Sequence, residues 1–175
     1  MRSSRSSTAA APSPGSRSVS NLRDELYSLL VPLAGERLIV PRACVAEVIS
    51  YQVPTAMNNA PPWYAGSLSL RDRRVPIVSF EAAFGQALPT VTSRTRIVIF
   101  HSSAAVPQTG FFGMLTQGFP QLVRVNADVV RPDPSRSFAD HLPVICQIRM
   151  VNETPLIPDL ERLEEMIAEE TSAAS

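Results

Sequence analysis

The chain contains no lysine: its sixteen basic residues are all arginine, and sixteen Asp and Glu residues balance them to a net charge of zero. The lysine gap reads as a coding bias with no functional weight, but the missing charge surplus excludes something. With no positive excess there is no electrostatic term to hold a phosphate backbone, so nucleic-acid binding is set aside even though Trp63 and Tyr64 lie beside a basic turn. Cysteine and histidine number two each. Neither metal-ligand spacing nor a disulfide framework exists, and Cys44 and Cys146 read as buried thiols in a reducing compartment. A bridge between them would require Cα atoms within about 7 Å. No apolar run approaches the roughly 18 residues of a membrane span, so no direct membrane insertion is expected.

What is present is enough for one domain. A chain of 175 residues can bury one core but not two ordinary ones plus tails. The charge is unevenly distributed: Arg2, Arg5, Arg17 and Arg23 occupy the first 23 residues with no acid, whereas Glu161, Glu164, Glu165, Glu169 and Glu170 face only Arg162 near the other end. Residues 1–22, rich in Ser, Ala, Arg and Pro, lack apolar periodicity and are expected to be a disordered tail. Ala9–Ala11 is too short for the apolar region of a secretory signal. The expected domain spans 23–170, and 171–175 are expected to fray.

The most legible stretch is Ala65–Phe80, AGSLSLRDRRVPIVSF, where two apolar runs flank a charged tip at Arg71–Arg74. This is a β-hairpin signature. Pro76 has no N–H for a ladder, which predicts an edge, a bulge or a non-bonding register. Gly66 opens the first strand and predicts the close approach of another backbone. Elsewhere, Glu25–Pro32 and Arg37–Val40 read as strands around a turn at Ala34–Glu36, and Arg42–Tyr51 as a short helix running into a strand. Ile97–Phe100 reads as a strand buried on both faces, Phe111–Thr116 as another, and Val144–Val151 alternates with period two. Leu160, Leu163, Met166 and Ile167 define a terminal amphipathic helix with glutamates opposite. Eight to ten short strands with few helices predict an all-β barrel or sandwich, and periodicity does not choose between them.

Chemistry is sparse. Asp133, Ser137, Asp140 and His141 fall in one polar connection and are the nearest approach to a catalytic cluster. They lack the order of a nucleophile elbow or a zinc motif. A small ligand-binding or enzymatic β-barrel using Ser137, Asp140 and His141 is the rival reading. It predicts those side chains converging in a concavity. His101 reads as a structural histidine at a strand end.

The hairpin also resembles a known signature. Gly66, Leu70-Arg71 and Val75-Pro76-Ile77-Val78, preceded by Pro62-Trp63 and by Val45-x-Glu47-Val48, and followed by Gly118 and Asp159-Leu160, are similar in order to the CheW-like adaptor family of bacterial chemosensory arrays. The likeness extends from about Glu25 to about Ile167. Ser69, Asp72, Ser79 and Gln117 depart from the family's pattern, Asp72 where a tip glycine is usual, which marks a divergent member. The departures resemble those of adaptors serving type IV pilus (twitching) systems, the ChpC kind. The resemblance implies two SH3-like five-stranded barrels sharing a hydrophobic core. It also implies a cytoplasmic, non-enzymatic adaptor without cofactor, coupling a CheA-type histidine kinase to the cytoplasmic tips of methyl-accepting chemoreceptors. By position, Val45 and Gly66 fall where family members contact the kinase. Arg71 falls on the motif arginine that shapes or joins the receptor-facing region.

Overall fold

The computed structural model describes residues 25–103 and 109–174; the expected tail lies outside the described residues. Eleven strands run in chain order: β1 (Leu26–Pro32), β2 (Arg37–Pro41), β3 (Val45–Ser50), β4 (Tyr64–Leu70), β5 (Arg73–Val78), β6 (Arg96–His101), β7 (Phe111–Thr116), β8 (Gln121–Val125), β9 (Arg131–Pro132), β10 (Val144–Arg149) and β11 (Leu156–Pro158). A 3-10 turn at Arg42–Cys44 leads into β3, as the mixed signal there implies, and two α-helices, α1 (Phe80–Ala83) and α2 (Leu160–Ala173), complete the set.

The strands form two sheets, ordered β8-β1-β2-β11-β10-β9 and β3-β6-β7-β5-β4. Side-chain alternation sorts their apolar residues into three clusters, because successive residues of a strand point to opposite faces. In β6, Val98 and Phe100 enter one cluster while Ile97 and Ile99 enter another, so this strand is buried on both faces as its sequence predicts. Leu68, Val75, Ile77, Ile97 and Ile99 fill the inside of the five-stranded sheet, with Ile49 from β3 and Ala65 from β4 packed against them. Those are the two outermost strands of that sheet, so the sheet curls into a barrel around its own filling. The six-stranded sheet does the same around Leu30, Ile39, Val125 and Ile148. It is the expected five-stranded unit with β9, two residues long, added to one edge.

Between the barrels lies the third and largest cluster. Val31, Leu38 and Val40 from one barrel meet Val78, Phe100, Phe112 and Met114 from the other, with Phe100 and Phe112 stacked at 5.2 Å. Leu163 and Ile167 of α2 are fully buried in the same cluster, so the amphipathic stripe packs on its own chain. Asp159 caps α2, its carboxylate accepting from the Arg162 N–H at 3.0 Å. One glutamate of α2 does not face solvent as the sequence predicts: Glu164 is buried and accepts from the Ser102 hydroxyl (2.9 Å) and the Ser103 N–H (3.1 Å), tying α2 to the exit of β6. Cys44 and Cys146 are free thiols that pack against different clusters, and burial pushes the Cys44 thiol up from its ordinary pKa.

Candidate protein interfaces

The β4–β5 hairpin carries most of the expected site. Its turn is tighter than the charged tip suggests: Leu70 pairs with Arg73, leaving only Arg71 and Asp72 outside the ladder, at φ 46° and 63°. Two consecutive left-handed residues make the type I′ geometry whose twist matches the flanking strands. Asp72 therefore adopts the backbone that glycine would supply, and the tip keeps its shape despite the departure. Alternation from the closing Leu70–Arg73 pair places Pro76 opposite Ser67 in a non-hydrogen-bonded position. The missing N–H costs β4–β5 nothing. The open edge that Pro76 suggested is not at β5, which lies between β7 and β4. β4 is the outer strand, and Thr55 covers it with two hydrogen bonds to Ser67, at 2.8 and 3.0 Å.

That cover explains Gly66. It is buried at φ +129°, and a Cβ there would lie 2.3 Å from the Thr55 carbonyl oxygen. The predicted close backbone approach is present, and it is internal to the chain. Arg71 is at the surface. Its guanidinium reaches the Glu47 carboxylate on β3 at 3.4 Å, with the arginine side chain 82% and the glutamate 37% exposed. This pair bridges the hairpin tip to the opposite outer strand of the same barrel. Val45 begins β3 beside a bulge, half-buried, with its side chain packed on the shared core.

The rival cluster does not assemble. Ser137, Asp140 and His141 are all exposed, and among the described residues no hydrogen bond or ion pair joins them. Asp133, in the same connection, is buried. It accepts from Gln147 Nε2 (2.9 Å), the Ser135 N–H (3.1 Å) and Arg149 Nη2 (3.3 Å). Hydrogen bonds from Ser135, then from Gln147, hold its carboxyl down at about 2. Next to it Arg136 donates to Gln147, pairs with Glu36 at 2.8 Å and lies over the rings of Phe84 and Phe138, so the connection is a structural strap. Trp63 packs on the shared core and Tyr64 is buried, which leaves no pair of open rings for bases to stack on. His101 is exposed and rests against Phe111. Among the described residues no group of three His, Cys, Asp or Glu residues could hold a metal, and no helix is long and apolar enough to cross a membrane.

Comparison with known proteins matches residues 27–166 to the CheW-like domain family. The chain belongs to that family. A crystal structure of the scaffolding protein TtCheW from Thermoanaerobacter tengcongensis superimposes with a TM-score of 0.64 at 18% identity, covering 76% of this chain and 88% of that one. A comparison with curated protein sequences returns no match. In this CheW-like chain the motif residues are thus divided by the structure: Arg71 and Glu47 come together, Gly66 works from beneath, and Val45 stands apart on the shared core.

One feature of this CheW-like body is absent from the sequence reading. At a seam between the barrels a cleft of about 480 Å³ is lined by Leu30, Pro32, Arg37, Ser93, Arg94, Arg96, Gln117, Gly118, Phe119 and Gln121. The Gln117 N–H donates to the Pro32 carbonyl at 2.9 Å and holds the seam closed below it. Arg94 lies in the turn Thr92–Thr95 and Arg96 at the start of β6, and it is this turn, closed by the Thr95 N–H donating to the Thr92 carbonyl at 3.1 Å, that brings both to the cleft.

Proposed function

We propose that this chain is a non-enzymatic adaptor that couples a CheA-type histidine kinase to the cytoplasmic tips of methyl-accepting chemoreceptors. It would work in the cytoplasm, in a chemotaxis array or the related array of type IV pilus twitching motility. The observation that carries this reading is family membership over residues 27–166, on a two-barrel body whose one motif ion pair, Arg71–Glu47, is presented to solvent. Exposed arginine forks that are only lightly tied are free to re-pair with a partner's carboxylates. Gly66 serves the kinase contact indirectly, by letting Thr55 seat against β4 and so fixing the outer surface of the barrel. Val45 serves it from the start of an outer strand that has a ladder partner on one side only among the described residues. The test is co-purification of the kinase from the native cell, followed by pull-down of a receptor tip with Arg71→Glu. Loss of receptor binding with an unchanged circular dichroism spectrum is expected; binding at wild-type strength removes Arg71 from the site. The kinase and receptor recovered also decide between the two pathways.

A further inference from the structure

The cleft at the seam has a lining with a definite chemistry: three guanidinium groups, from Arg37, Arg94 and Arg96, and no carboxylate. They are not equally committed. Arg37 is paired with Glu153 at 2.9 Å. Arg96 is fixed in place, donating from Nη1 to the carbonyls of Ser93 (2.9 Å) and Thr95 (2.8 Å), with its Cζ 4.8 Å from the centroid of the Phe119 ring. Arg94 is exposed, and its guanidinium has no hydrogen bond or ion pair among the described residues. One arginine is thus preorganised by its own turn, and a second is unengaged beside it. Phe119, covered in part by the Arg96 guanidinium but still 65% exposed, adds apolar surface open to a ligand. A planar fork held in advance loses little entropy when it binds a carboxylate or phosphate bidentately.

From this arrangement we infer that the cleft docks an acidic peptide segment of a partner protein, with carboxylates on Arg94 and Arg96 and an apolar side chain against Phe119. A phosphate ligand fits less well. A phosphate has no apolar group to set against Phe119, and no helix residue lines this cleft to supply an N-terminus. Gln117 and Gln121 supply amides suited to a peptide backbone, and among the described residues no hydrogen bond engages their side chains. None of Val45, Glu47, Gly66 or Arg71 lines the cleft, so the surface is separate from the one proposed above and independent of the kinase and receptor assignment.

The test uses the purified full chain and a fluorescein-labelled probe peptide, Glu-Glu-Leu-Glu-Glu, followed by anisotropy, with Gln-Gln-Leu-Gln-Gln as the uncharged control. Saturable binding is expected for the acidic probe, about tenfold weaker or worse for Arg94→Glu and for the control peptide, and weakening as salt rises. Arg42→Glu, the same charge change at an exposed residue outside the lining, should bind as the unsubstituted chain does. Four results overturn the inference: no saturable binding at millimolar probe, equal affinity of Arg94→Glu, an equal loss in Arg42→Glu, or displacement of the probe by pyrophosphate as readily as by unlabelled peptide. The last would reassign the cleft to a phosphate compound.

Discussion

Two arginine-bearing polar segments of this chain have opposite fates. The β4–β5 tip presents Arg71 on a pair 3.4 Å long and largely exposed, whereas the strap around Asp133 buries its carboxylate under Gln147, Ser135 and Arg149 and lays Arg136 over two adjoining rings. Asp133 and Arg136 of the strap are engaged by Ser135, Gln147, Arg149 and Glu36 of the same body, so they stabilise the fold and leave little for a partner. The tip's groups contribute almost nothing to stability and remain available. Polar composition alone does not separate these cases; what separates them is whether the partners bury and saturate the group, as they do at Asp133, or leave it exposed on a single long pair, as at Arg71.

The sharpest challenge to that contrast comes from the root of the hairpin. Gly66→Val places a branched side chain where the Thr55 carbonyl oxygen lies 2.3 Å from the new Cβ, at a φ of +129° that such residues avoid. Overlap and backbone strain together should cost about 4 kcal/mol or more, read as a fall in the urea midpoint or as failure to fold. A midpoint within error of the unsubstituted chain would mean that Thr55 does not seat on β4, and that the hairpin is loose throughout rather than only at its tip.

The strap can be tested by acid. The Asp133 carboxyl is held at about 2 in the folded state, below the roughly 3.9 of an unfolded aspartate. A depressed folded pKa means that the unfolded chain takes up the proton first. The stabilisation is therefore complete above about pH 4 and is lost as the pH falls toward 2. Urea midpoints measured across that window should fall more steeply for the unsubstituted chain than for Asp133→Asn. Parallel curves would remove the strap's claim to be structural.

How much of this was readable in advance depends on where the controlling contacts lie along the chain. The hairpin, the doubly buried β6 and the stripe of α2 were legible because periods of two and 3.6 are local properties. Gly66 was legible as a close-approach glycine, though not which backbone approaches. Asp133 and Glu164 were not. Both look like solvated acids until residues 14 and 62 positions away, Gln147 and Ser102, arrive beside them. The cleft was missed for the same reason: Leu30, Arg94 and Phe119 become neighbours only when two barrels meet.

A smaller effect should appear at the turn, with the opposite sign. Asp72 holds φ 63°, which costs a side chain roughly 1 kcal/mol that glycine does not incur. Asp72→Gly should raise the midpoint by an amount equivalent to about 0.5–1 kcal/mol, the greater freedom of glycine in the unfolded chain offsetting part of the relief. A fall would mean that the aspartate carboxylate contributes to the turn more than its backbone costs.

The smallest expected change in stability is the one that most directly defines the exposed tip. Arg71→Ala removes the pair to Glu47, and pairs this exposed contribute between about 0 and 1 kcal/mol. The midpoint should therefore shift by less than about 0.5 kcal/mol and lose what salt dependence the pair gave it. If Arg71 is a contact rather than a brace, receptor-tip binding should fall while that midpoint stays put. Glu47→Gln should then reproduce less of the binding loss than Arg71→Ala, because it leaves the guanidinium in place. Equal losses from both substitutions would show that the ion pair itself, by fixing the tip against β3, is what the partner recognises.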